Sequence, residues 1–157
     1  MLLPILLSAV LALPTGTIKG SIAPPDNVRI AKPVQVVVFS GSYVNLYLAE
    51  VQKRVDNYWE DYRGLFIQDK QAFLHFRERA QVQALEVTLS RMRSDDSDSI
   101  AKFVHTATNN TFEFHAVPQG ECKIVALVTI GGEEFVWSES VILKSETSEF
   151  VILKPAP

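Results

Sequence analysis

Residues 106–127 leave this chain few folds to choose from. They read as a strand end, a polar turn at Asn109-Asn110, a strand carrying Phe112 and Phe114, a corner from Pro118 to Gly120, and a second apolar strand. Side chains alternate sides along a strand, so two aromatics two positions apart share a face and demand a core opposite. Asparagine tolerates the positive φ angles of a hairpin turn, and the Pro-Gln-Gly corner breaks the ladder and re-aims the chain. With a two-residue loop at Asn109-Asn110, residue 105 is expected to pair with 114, and 104 with 115.

Other stretches repeat the strand pattern. Residues 17–22 alternate around Gly20, and the Pro24-Pro25-Asp26-Asn27 turn follows. Residues 33–39 form a β-branched run, which predicts burial on both faces or an alternation disturbed beside an insertion. Further strands are expected over 100–107, 111–116, 123–130, 134–143 and 149–153. Seven short strands separated by turns predict a mainly β fold, a seven-stranded Ig/prealbumin-like β-sandwich.

Residues 43–93 change the period. Tyr47, Leu48, Val51, Val55, Tyr58, Trp59 and Tyr62 recur every three or four positions, as do Phe73, Phe76, Ala80, Leu85, Leu89 and Met92. Gly41 or Ser42 can cap the start, and Arg91 and Arg93 suit a helix C-terminus. Gly64 interrupts the pattern, so an antiparallel helical hairpin is expected, with one continuous helix as the alternative. This insertion holds eight of the fifteen aromatic residues, including every tyrosine.

Charge and cysteine content narrow the function classes. The chain of 157 residues suffices for one core, and its net charge of −3 provides no general field for nucleic acid. Cys122 is the single cysteine, so no internal disulfide forms; on a predicted strand it reads as a small buried residue. Residues 1–14 are apolar, with a small-residue cleavage site at Ala12, and read as a signal peptide. They are too short to span a bilayer, and the alternatives are a first buried strand or an N-terminal tail. Residues 15–157 then form one exported, extracytoplasmic domain, periplasmic or secreted.

The segments Gly16–Gly20, Pro33–Val38, Thr108–Phe114 and Val117–Ile124 together resemble the carboxypeptidase regulatory-like domains. That family comprises seven-stranded prealbumin-like sandwiches, grouped also with carbohydrate-binding-like folds and collagen-adhesin repeats. The resemblance covers 16–40 and 100–155, about half the chain. It departs at Asn109-Asn110, where an acidic residue and glycine are usual, and at Cys122, where an aromatic is common. It implies a non-catalytic extracytoplasmic module and says nothing of the insertion. The isopeptide bond of collagen-adhesin relatives is not expected, because the last strand offers no asparagine.

Candidate chemistry is thin. His75 and Glu78 match a zinc-carboxypeptidase ligand pair and share a helix face, but no third ligand accompanies them. His105 and His115 flank the central turn and are expected on opposite faces. Asp95, Asp96 and Asp98 lack the glycine and distal glutamate of a calcium loop. Asn109-Asn110-Thr111 is a glycosylation sequon. No nucleophile or phosphate-binding motif occurs, so neither an enzyme nor a cofactor is expected. The aromatic insertion is the functional clue: a two-helix seam is too narrow to bury every ring, and tyrosine and tryptophan favour protein interfaces. Tyr47, Tyr58, Trp59 and Tyr62 are the expected contacts for a protein partner or self-association. The alternative is a carbohydrate-binding module, with Trp59 or Trp137 as the stacking ring. Nucleic acid and a membrane span are not expected.

Overall fold

The computed structural model describes residues 14–98 and 100–155. The expected signal peptide lies outside them except for Pro14. Among the described residues there are seven strands: β1 (Thr15–Ile22), β2 (Val34–Ser40), β3 (Val104–Ala107), β4 (Thr111–Pro118), β5 (Gly120–Ile130), β6 (Glu133–Leu143) and β7 (Ser148–Leu153). They form a three-stranded sheet in the order β4-β1-β7 and a four-stranded sheet in the order β3-β2-β5-β6. Pairing is antiparallel except between β1 and β7, which run parallel.

Alternation builds the core between the sheets. Ile18, Phe112, Phe114 and Leu153 from one sheet meet Val36, Ile124, Ala126 and Trp137 from the other. The Trp137 indole donates to the Ala23 carbonyl at 3.0 Å, which satisfies its one buried donor. Gly20 makes room for Phe112: a Cβ at position 20 would stand 2.3 Å from that ring and 2.4 Å from the Val151 carbonyl oxygen.

A second core lies on the outer face of the four-stranded sheet. Val37, Phe39, Val125 and Val136 pack there beneath α1 (Ser42–Gln68) and α2 (Lys70–Asp95). The β-branched run of β2 is therefore buried on both faces, its even and odd positions serving different cores. Helix α1 contributes Val44 and Tyr47, and α2 contributes Val82, Leu85, Leu89 and Met92.

Three expectations about the strands and fold class need correction. The fold is mixed α/β rather than mainly β, since the two long helices take 27 and 26 residues, about as many as the seven strands together. The strand expected over 100–107 begins only at Val104, after a helical turn α3 (Ile100–Phe103). Its partner β2 pairs Val34 to Val37 with residues 104–107 and runs on to Ser40, but residues 100–103 coil into the helical turn instead of extending that ladder. The expected β3–β4 pairing also fails beyond a single bridge between Thr108 and Thr111. Asn109 and Asn110 do adopt φ of 53° and 59°, as a tight turn requires. The turn carries the chain from one sheet to the other, because β3 pairs with β2 and β4 with β1.

The insertion is a hairpin, but it turns at Asp69 rather than Gly64. Helix α1 is distorted at Tyr62 (φ −123°, ψ 19°) and continues through Gly64. The Asp69 backbone N–H donates to the Leu65 carbonyl at 2.8 Å, closing α1. Its carboxylate accepts from the Gln71 and Ala72 amides at 2.9 and 3.3 Å, opening α2. One residue in extended backbone thus ends one helix and caps the next. At the other end Gly41, with φ 57°, precedes α1 and provides no side-chain cap.

Candidate interaction surface

The hairpin divides at about Val51 and Val82. Below that level it packs on the sheet; beyond it, the helices pack chiefly on each other, with α1 running about 25 Å further to Gln68. The distal half is held by rings. Tyr58 meets Phe76 edge-on at 5.0 Å, Trp59 stacks on Phe66 at 6.0 Å, and Tyr62 lies 5.0 Å from Phe76. Phe66 is buried at the centre, 5.3 Å from Phe73 and 5.2 Å from Phe76. The Tyr58 hydroxyl donates to the Gln83 side-chain carbonyl at 2.9 Å, pinning the two helices together.

The four expected contact residues separate into distinct roles. Tyr47 is 1% exposed and packs against Phe39 at 5.3 Å, so it leaves the contact set and joins the second core. A ring at that position faces the sheet because it shares the helix face of Val44, which is also buried. Its hydroxyl is buried and, among the described residues, makes no hydrogen bond of good geometry. Burial raises the phenol well above its ordinary range, and the Ser138 side chain pulls it back by less than burial raises it. Tyr58 is half-buried in the seam. Trp59 and Tyr62 stand 43% and 45% exposed, on the open side of the ring cluster.

Sequence reading missed Leu65 and Ile67, 45% and 65% exposed beside the buried Phe66. The signal was present: three consecutive apolar residues on a helix sweep about 200°, wider than one seam can cover. Trp59, Tyr62, Leu65 and Ile67 are the large exposed apolar side chains of the distal hairpin, with Trp59, Tyr62 and Leu65 toward one side of α1 and Ile67 about 200° round from Leu65.

His75 and Glu78 line a cleft of about 690 Å³ between α2 and the turn joining β5 to β6, with Arg79, Gln83, Gly132 and Glu133. Burial pushes the Glu78 carboxyl above its ordinary range; His75 and Arg77 pull it back, and Glu133 adds to the rise. Among the described residues, no group of three or more His, Cys, Asp or Glu side chains is arranged to hold a metal.

The remaining candidates have local roles. His105 sits in the four-stranded sheet with its ring 6.0 Å from Phe114, whereas His115 sits in the other sheet, 2.9 Å from the Glu113 carboxylate. Asp95 accepts from Tyr43 at 2.8 Å and pairs with Arg91 at 3.4 Å. Asp96 accepts from the Asp98 amide at 3.1 Å, and Thr111 of the sequon donates to the Thr108 carbonyl at 2.9 Å. Cys122 lies in the core between the sheets, where burial and then Glu121 push its thiol up to about 11. Trp137 is buried and unavailable as a stacking ring. Phe150 is exposed on β7, an edge strand of the three-stranded sheet. Among the described residues no helix is long and apolar enough to cross a membrane.

No protein-family model matches the chain, and no curated protein matches it. Among solved structures, a Pseudomonas aeruginosa protein provisionally described as carbohydrate-binding is similar over 93% of this chain and 92% of its own, at 15% identity and a TM-score of 0.41. At that identity and score the likeness carries no argument about fold or function. The carboxypeptidase regulatory-like resemblance accordingly rests on its motifs in residues 16–40 and 100–155.

Proposed function

We propose that the protein is a non-catalytic, exported binding module in which the β-sandwich holds out a helical hairpin to dock on a protein partner. The observation that carries this reading is the exposure of Trp59 and Tyr62 on the distal half of the hairpin. Burying two such rings supplies the anchor that interfaces concentrate in few residues. Leu65 and Ile67 extend the surface with aliphatic area, which suits a protein better than a sugar ring. Replacing Trp59 and Tyr62 together by alanine is expected to weaken capture of the partner from an envelope extract by at least about 30-fold. Undiminished capture would remove the assignment. Export is tested beside it, by mass spectrometry of the mature N-terminus: cleavage near Ala12 is expected, and an intact Met1 in the exported fraction would contradict it.

Carbohydrate binding is the second reading, favoured by two exposed rings in different places: Trp59 on the hairpin and Phe150 on the sandwich. Isothermal titration with cell-wall and plant glycans separates the two. Heat that is lost on Trp59→Ala or Phe150→Ala supports a sugar site; flat traces with intact protein capture leave the docking reading standing.

A further inference from the structure

The end of the hairpin differs in charge from the rest of the molecule. Residues 62–77 carry Arg63, Lys70 and Arg77 against the single acid Asp69, on a chain whose net charge is −3. Asp69 is engaged by the two amides that it caps. Arg63 and Lys70 are exposed, and among the described residues neither forms an ion pair. Between them stand Leu65 and Ile67, the latter the most exposed apolar side chain of the hairpin. Tyr62 lies about 10 Å back along the helix from Asp69. Asp61 adjoins Tyr62, and Glu60, Glu78 and, across the cleft, Glu133 and Glu134 follow behind.

We infer that this free end is a lipid-contact surface, entering the headgroup layer of an anionic bilayer with Leu65 and Ile67 leading and Arg63 and Lys70 on the phosphates. The chemistry fits the two requirements of surface binding. An apolar tip enters the layer by about 5–10 Å, and cations near the surface are each drawn to anionic headgroups. Tyr62 falls where amphipathic rings settle, at the boundary between headgroups and water. Asp61 reaches the boundary beside Tyr62 and opposes the attraction there, while Glu60 and Glu78 lie further back. Trp59, about 15 Å behind Asp69, also stays outside and remains open to a protein. Tyr62, Leu65 and Ile67 are shared with the proposed docking surface, so lipid and a protein partner compete for them, and the vesicle test uses lipid alone.

The test uses the full chain with vesicles of phosphatidylcholine alone and of phosphatidylcholine mixed with phosphatidylglycerol. An environment-sensitive dye on Ile67→Cys reports the tip alone, because Cys122 is buried and its thiol is pushed up to about 11. A blue shift on the phosphatidylglycerol vesicles is expected, and Arg63→Glu with Lys70→Glu should weaken that response at least about 20-fold at low salt. Leu65→Ser with Ile67→Ser should weaken vesicle binding about tenfold without changing the melting temperature. No shift on anionic vesicles overturns the inference, even where the protein sediments with them through its apolar N-terminal segment. A shift that survives the charge reversal, or one produced by a captured protein and not by lipid, overturns it as well.

Discussion

At the scale of single residues, the core tolerates change where a group is unsatisfied and resists it where backbone and ring touch. Gly20 is the sensitive case. Its missing side chain leaves the space that Phe112 and the Val151 carbonyl occupy, and the carbonyl belongs to a paired strand. Gly20→Ala should cost about 3 kcal/mol and lower the melting temperature by about 10 °C, read by thermal unfolding. Tyr47 is the opposite case. Its hydroxyl makes no hydrogen bond of good geometry among the described residues, so Tyr47→Phe should be neutral or stabilise by about 1 kcal/mol. Tyr47→Ala should cost about 3 kcal/mol, because it opens a cavity beside Phe39. Partner capture by Tyr47→Phe should equal that of the parent; a loss with unchanged stability would return Tyr47 to the contact set.

At the scale of elements, what was legible depended on whether the signal was local. The β2 run announced burial on both faces because hydrophobic alternation is absent within the four residues Val36 to Phe39, and each face found a core. The Asn109-Asn110 turn was legible because both residues accept positive φ. Their strands' partners were not legible: turn chemistry does not say whether the two arms stay in one sheet. Gly64 misled for a related reason, since a lone glycine only weakens a helix, whereas Asp69 both ends one and starts another. Asp69→Ala should therefore cost about 1 kcal/mol and speed amide exchange in residues 62–76, while Asp69→Asn retains most of the protection. Equal exchange in all three would show that the aromatic cluster alone sets the turn. Within the candidate surface, periodicity identified Trp59 and Tyr62 as helix-face rings but could not separate them from Tyr47. That distinction comes from the sheet beneath the hairpin, which covers α1 only as far as Val51.

At the scale of the whole molecule, two cores share one four-stranded sheet, and the hairpin has two jobs along its length. Its base shields Val37, Phe39, Val125 and Val136, so removing residues 43–93 outright would expose an apolar sheet face and invite aggregation. Its distal half leaves the sheet and presents Trp59, Tyr62, Leu65 and Ile67 to whatever lies beyond. The measurement that separates these jobs replaces residues 56–81 with a short glycine-serine turn and compares partner capture by the shortened and full chains. Buried Trp137 remains in both, so near-ultraviolet circular dichroism reports the sandwich directly. The account predicts a shortened protein that keeps the Trp137 signal and a cooperative melt but captures nothing. Capture equal to that of the full chain, with the sandwich intact, would contradict it and move the working surface onto the sandwich.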